Sequence, residues 1–179
     1  MPKINFSFHR IEKKHHALVQ GWLQKKHVQP YFFGEGLQNT LKNLELAAVG
    51  VDHNGEYSFE HWIACVDDQP MGFLMTSLVS GPYDAKDAYN KWFEEGKKTI
   101  TLDLLIGEEA FLDKGFSSPM IQEFLRDKFP QVSTVLIDPE STNSKAIHVY
   151  EKVGFKKIEK FIPKFNPVPH WMMRLRMKS

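Results

Sequence analysis

Asn143-Ser144-Lys145-Ala146-Ile147-His148-Val149-Tyr150-Glu151-Lys152-Val153-Gly154-Phe155 is the stretch on which the reading of this chain turns. Ala146, Ile147, Val149, Tyr150 and Val153 recur at the spacing of one helix face, so the segment predicts an amphipathic helix. Gly154 stands where a helix stops in the left-handed conformation, and Phe155 opens a returning strand. Amphipathicity and a glycine stop explain the helix. They do not explain why Asn143, Ala146, Tyr150 and the pair Gly154-Phe155 fall at these offsets.

Working outward, the apolar pattern predicts a strand over 132–138, a helix over 116–128 and a strand over 99–106, with further strands near 155–162 and 171–177. Upstream, residues 3–10 alternate Ile4, Phe6 and Phe8 with polar residues, as a half-buried strand does. Helical spacing follows over 12–26, through Leu18, Val19, Trp22 and Leu23, and again through Leu37, Leu41, Leu44 and Ala48. Residues 50–55 read as a loop. Two β-prone runs, 59–66 and 71–79, are joined by Asp67-Asp68-Gln69-Pro70 and predict an antiparallel hairpin. Residues 81–98 lack a core period and read as an irregular insertion. Strands alternating with helices behind a hairpin give an α+β (mixed α/β) fold: a central, mostly antiparallel mixed sheet of six or seven strands with about four helices.

The bulk figures agree with one compact unit spanning 1–179. The 179 residues are 42% apolar and 25% charged with a formal net charge of +1, which points away from disorder, a membrane partner or a global nucleic-acid-binding field. The single cysteine, Cys65, forms no internal disulfide and reads as a buried thiol. Eight histidines appear without paired cysteines or an H-E-x-x-H spacing, so no metal is expected. Met1-Pro2-Lys3-Ile4-Asn5 carries no apolar signal core, and a cytoplasmic location is the expectation.

Two further stretches carry chemistry. Leu112-Asp113-Lys114-Gly115-Phe116-Ser117-Ser118 lies between a strand and a helix, where successive backbone N–H groups and the helix dipole suit a pyrophosphate. Thr99-Ile100-Thr101-Leu102-Asp103-Leu104-Leu105-Ile106-Gly107 places a carboxylate inside a strand, where Asp is disfavoured, so Asp103 is a candidate functional group.

Asn143 to Phe155 resembles the GNAT acetyltransferase signature N-x-x-A-x-x-x-Y-x-x-x-G-F and fills every position of it. The resemblance implies acetyl-CoA as co-substrate, with Asn143 and Ala146 at the pantetheine arm and the Tyr150 hydroxyl at the CoA sulfur. The family's Q/R-x-x-G-x-G/A loop is matched in part: Gly115 fits, while Leu112 and Ser117 depart from the pattern. Asp113, Lys114, Gly115, Phe116, Ser117 and Ser118 are the implied pyrophosphate contacts, and the backbone around Leu105 and Ile106 the implied acyl contact.

Leu102-Asp103-Leu104-Leu105, Asp113-Lys114-Gly115 and Asp138-Pro139-Glu140-Ser141-Thr142-Asn143 look most like aminoglycoside 6'-N-acetyltransferases. That likeness implies Asp103 as the base that receives the amine and Asp138 as a second acceptor-contacting carboxylate. It extends upstream to His27 followed by Tyr31-Phe32, and to Trp92-Phe93-Glu94-Glu95. Tyr31, Phe32, Trp92, Glu94 and Glu95 are therefore the remaining candidate substrate contacts. Residues 1–98 become the acceptor side, 99–155 the acetyl-CoA half and 156–179 the closing strands of a monomer or homodimer. A siderophore-precursor (hydroxylysine-type) acyltransferase has a similar L-L-I-G strand but typically carries His where Asp103 stands. A non-catalytic acyl-CoA-binding protein is the alternative outside enzymes, opposed by Tyr150 and the in-strand Asp103.

Overall fold

The structure, a computed structural model, describes residues 2–164 and 166–178. In chain order its elements are β1 (Phe6–Arg10), α1 (His16–Leu23), α2 (Gly34–Ala48), β2 (His53–Asn54), β3 (Tyr57–Ser58), β4 (Glu60–Val66) and β5 (Gln69–Val79). There follow β6 (Thr99–Ile106), α3 (Ser117–Lys128), β7 (Thr134–Ile137), α4 (Ser144–Val153), β8 (Lys156–Phe161) and β9 (His170–Arg176). Seven strands form one sheet in the order β1-β4-β5-β6-β7-β9-β8, and β2 pairs with β3 as a separate ribbon. Only β6 and β7 run parallel; the other pairs of the large sheet are antiparallel. The α+β reading of the sequence thus holds, with seven strands and four α-helices.

Period-2 alternation sorts the side chains onto two faces. Ile100 and Leu102 of β6 join Phe124, Tyr150 and Met173 beneath α3 and α4. Leu105 joins Ile63, Phe73, Val19, Trp22 and Leu44 beneath α1 and α2. On that second face Val79, Leu136, Trp92 and Met172 form a third cluster under the 81–98 segment. Two-sided burial explains why β4 and β5 read as nearly continuous apolar runs.

Four expectations are corrected. The helix expected over 12–26 is a 3-10 turn (Lys13–His15) and then α1, which ends at Leu23. Leu23 is the last residue of the apolar stripe, and Gln24-Lys25-Lys26 offer no face to bury. Residues 50–55, read as loop, contain β2. The strand expected over 132–138 pairs only through Thr134–Ile137; Pro139, two residues on, has no N–H to donate to a ladder. The β4–β5 turn is made by Asp67 and Asp68, both with positive φ (46° and 66°), so Gln69 and Pro70 already belong to β5.

Candidate active site

The parallel pair in mid-sheet is short. β6 and β7 pair only at Thr99–Thr134, Ile100–Val135 and Thr101–Leu136. Beyond that point β6 stays with β5 as far as Ile106–Gly72. β7 stays with β9 through Ile137–Met173, and the chain after it follows β9 through Trp171 N–H to Pro139 O (3.0 Å) and a bridge between Glu140 and His170. Each strand follows its outer neighbour, so a wedge-shaped gap opens between Leu102–Ile106 and Ile137–Asp138.

Alternation fixes which backbone groups line the gap. Lys98 O accepts from Ser133 N–H on the β7 side (2.8 Å), whereas Gly107 N–H donates to Met71 O on the β5 side (2.9 Å). With no bulge between them, Leu102, Leu104 and Ile106 turn their N–H and C=O into the gap and Leu105 turns its own toward β5. The Leu105 carbonyl lies 2.4 Å from where a Cβ on Gly72 would stand, so only glycine fits opposite it. Leu104, not the expected Leu105, therefore shares the gap-lining backbone with Ile106. Left without a partner and dry, each such group would cost about 1–3 kcal/mol, which makes the gap a binding edge for a molecule carrying amides. The Ile106 carbonyl already accepts from His27 Nε2–H at 2.8 Å, so His27 ties the segment after α1 to the mouth of the gap.

At the end of β6 the chain makes a 3-10 turn (Glu109–Phe111) and enters the loop before α3. Asp113 and Gly115 both have positive φ, 57° and 75°, which curls the loop and converges its N–H groups on the start of α3. The first turn of α3 exposes the N–H groups of Ser117 and Ser118, while Pro119 has none. Phe116 packs its ring on Phe6 and Phe111 (6.4 and 5.7 Å) and contributes its backbone. The Ser118 hydroxyl points to Val149 O (3.5 Å), between α3 and α4. Asp113 forms an ion pair with Lys145 at the start of α4. Lys114 lines an open depression of about 710 Å³ together with Lys26, His27 and Glu109.

The motif on α4 acquires physical reasons. Asn143 caps the helix, its Oδ1 accepting from Ala146 N–H (3.2 Å), which leaves the amide NH2 for a ligand. Gly154, at φ 120°, and Phe155 both donate N–H to Tyr150 O (3.1 and 3.0 Å), a Schellman-type ending. Phe155 is buried with its ring 6.0 Å from that of Tyr150, which holds the phenol from below. Burial, and then Asp103 and Asp138, push the Tyr150 hydroxyl above its ordinary pKa, so it stays a neutral donor.

Asp103 and Asp138 stand opposite each other. Each lies two residues beyond the last pair, Thr101–Leu136, on the α1/α2 face, Asp103 exposed on the floor of the gap and Asp138 half-buried. The protein around Asp103 pushes its carboxyl up to about 6. Water still reaches it in the open cleft and moderates that effect; a ligand that closes the cleft strengthens it. Asp138 is raised well above the ordinary value, first by desolvation and then by Asp103, against a backbone hydrogen bond that lowers it. Tyr89 joins them from the insertion, its ionisation opposed by burial and then by Asp138 and Asp103. The sequence reading did not single out Tyr89, because a tyrosine in an aperiodic segment carries no local signal.

The other candidates divide. Tyr31 is 44% exposed on the rim, whereas Phe32 packs against the core beneath α1 and α2. Trp92 is buried beside Phe161 (5.1 Å between rings) and supports Tyr89 (5.8 Å). Glu94 is not brought to the carboxylate pair: it is held below its ordinary pKa chiefly by Arg176, with Lys97 also bonded to it. Arg176 also donates to Thr134 at the closed end of the β6–β7 pair, four residues before Asp103 along β6. Glu95 is exposed nearby. Among the described residues no cluster of three or more His, Cys, Asp or Glu could hold a metal ion, and no helix is long and apolar enough to cross a membrane.

The acetyltransferase (GNAT) domain family matches residues 12–162. A curated relative, aminoglycoside N(6')-acetyltransferase type 1 of Klebsiella pneumoniae, is 27% identical over 150 residues, covering 79% of this chain and 69% of that one. The crystal structure of aminoglycoside N(6')acetyltransferase from Legionella pneumophila subsp. pneumophila str. Philadelphia 1 is 35% identical with a TM-score of 0.83, covering 98% of this chain and 94% of that chain. AAC(6')-Ib in complex with ribostamycin and coenzyme A superposes with a TM-score of 0.78 at 20% identity, over 96% and 93% of the two chains, a likeness of fold. The chain belongs to the GNAT acetyltransferase family and is an acetyl-CoA-dependent N-acetyltransferase.

Proposed function

We propose that the chain acetylates a primary amine of a small polycationic acceptor, an aminoglycoside, with Asp103 as base and Tyr150 as the donor to the departing sulfur. The observation that carries this reading is the placement of Asp103 and Asp138 across the gap from one another, on the face left open between α1–α2 and the 81–98 segment. Two carboxylates attract an ammonium, and one with a pKa near 6 accepts its proton close to neutral pH.

Acetyl-CoA supplies an activated acyl thioester. The N–H groups of Leu104 and Ile106 hold its amides and acyl oxygen, residues 113–118 the pyrophosphate, and the Asn143 amide and the Ala146 side the pantetheine arm. Asp138 anchors the acceptor, Asp103 removes the ammonium proton, and the free amine is positioned in the gap for direct attack, so Cys65 needs no part. The Tyr150 hydroxyl donates to the sulfur as negative charge develops there. Residues 1–98 form the acceptor side, with Tyr31 and Glu95 at its rim; residues 99–155 form the acetyl-CoA side, and 156–179 close the sheet. Dependence on acetyl-CoA supports a cytoplasmic location. Acetylation removes one positive charge from the acceptor, and antibiotic resistance is the expected consequence in a cell.

Thiol release from acetyl-CoA tests the reading with kanamycin, spermidine and lysine as amines. Kanamycin-dependent release exceeding that with the two simpler amines is the expected result. Release that no amine accelerates would remove the transferase assignment, and a clear preference for spermidine would move the substrate class to polyamines.

A further inference from the structure

The mouth of the gap is partly occupied by a side chain that the fold does not need there. His27 follows α1, and its Nε2 lies 2.8 Å from the Ile106 carbonyl oxygen. A carbonyl only accepts, so Nε2 carries the proton. Nδ1 is buried and bonds nothing, the Glu109 carboxylate standing 3.9 Å off. The bond to Ile106 is therefore the one hydrogen bond the ring makes among the described residues. A phenylalanine would fill the same space without stranding a buried nitrogen.

The segment around His27 is held without that bond. Trp22, Leu23 and Val28 are buried in the core beneath α1 and α2. Trp22 Nε1–H donates to Glu108 (2.7 Å), Lys25 stands 3.8 Å from the same carboxylate, and Val28 and Gln29 N–H both donate to Lys25 O (3.0 Å). The end of β6 is held as well, since Gly107 and Glu108 N–H both donate to Met71 O (2.9 and 3.2 Å). What His27 changes is the character of the edge that faces the gap. Leu104 turns both an N–H and a C=O into it. At Ile106 the C=O is bonded, with an imidazole ring against it, and the N–H remains.

We propose that His27 is a positioning residue that sets the register of acetyl-CoA in the gap, by occupying the Ile106 carbonyl and leaving Ile106 a donor only. The arm then seats a carbonyl oxygen at Ile106 and does not slide to bring an amide N–H to that level. An edge that repeats N–H and C=O at every second residue would otherwise take an amide-bearing arm at more than one depth. One register brings the thioester to Asp103 and Tyr150; a slipped one binds the cofactor and leaves the thioester out of line. The inference rests on the reading of the Leu104 and Ile106 N–H groups as cofactor contacts.

His27→Ala frees the carbonyl, and His27→Gln keeps a donor at the reach of Nε2. Thiol release with kanamycin and calorimetry with acetyl-CoA are read on the parent and both variants. In His27→Ala a slipped register competes with the productive one. Hence kcat falls about threefold to tenfold, the span of one neutral hydrogen bond, and KM and the calorimetric Kd for acetyl-CoA fall by the same factor. kcat/KM and melting temperature stay at parental values, because the productive complex is unaltered and Trp22 and Val28 still anchor the segment. His27→Gln restores kcat and Kd. Weaker acetyl-CoA binding with a lower melting temperature in His27→Ala marks a purely structural tie and overturns the inference. So does a Kd that changes in neither variant, or equally in both. A parent without kanamycin-dependent release refutes the acceptor reading, whereas tighter acetyl-CoA binding in His27→Ala and its reversal in His27→Gln still decide this one.

Discussion

Replacing Asp103 by Asn should move activity and stability in opposite directions. Asp103 binds its proton more tightly in the folded chain, at about 6, than at its ordinary 3.8. Across that window the folded state therefore holds more protons than the unfolded one, so stability falls as pH rises from 3.8 to about 6, and at neutral pH the ionised carboxylate is a net cost. Asn keeps the shape and removes the charge, so the variant melts at or slightly above the parent at pH 7.5. The gain is small because Asp103 is exposed and water screens the penalty. Loss of a general base lowers kcat/KM by about a hundredfold to ten-thousandfold. In the parent, a base titrating near 6 makes kcat/KM fall about tenfold between pH 7 and pH 5, and that limb disappears from the residual activity of the variant. Scanning calorimetry and a thiol-release pH profile on the same preparations give both measurements. A variant that melts several degrees lower, or keeps parental kcat/KM, would show that Asp103 is structural and would leave the acceptor to Asp138.

Tyr150→Phe should lower kcat by about a hundredfold under conditions where chemistry limits the rate, with acetyl-CoA affinity by calorimetry nearly unchanged, since only the hydroxyl at the sulfur is lost. Unaltered single-turnover rates would assign that donor role elsewhere. Gly107→Ala places a Cβ 2.0 Å from the ring of Trp22, which is 1% exposed and bonded through Nε1–H to Glu108 (2.7 Å). Overpacking of this kind costs about 1–3 kcal/mol, or roughly 2–12 °C in melting temperature at this chain length, and acetyl-CoA affinity should fall with it because α1 is displaced from the end of β6.

The α4 motif was legible because each of its parts is local. Asn143 caps, Gly154 stops the helix and Phe155 packs under Tyr150, all within one helix and its return, so fixed offsets in the sequence encode fixed geometry. The acceptor side was less so. Glu94 and Glu95 looked alike in sequence, yet Arg176, 82 residues on, neutralises the first at the closed end of the strand pair. Trp92 read as a substrate contact and is core, supporting a tyrosine that no pattern marked. The placement of Leu104 rather than Leu105 in the gap needed the side of one carbonyl, that of Lys98, which only β7 reveals. Asp138 opposite Asp103 likewise depends on a parallel register between segments 35 residues apart.

The short β6–β7 pairing also acts as a gauge of molecular width. A free sheet edge invites any polypeptide strand, and proteins ordinarily guard such edges. Here the unpaired backbone lies in mid-sheet, hinged at Thr101–Leu136, with a layer of side chains packed beneath α3 and α4 on one face. An entering strand would have to seat every second side chain into that filled layer. A slender thioester arm, carrying amides but little bulk beside them, needs no such room. The seam that could template aggregation in another protein is thus open to threads and closed to chains.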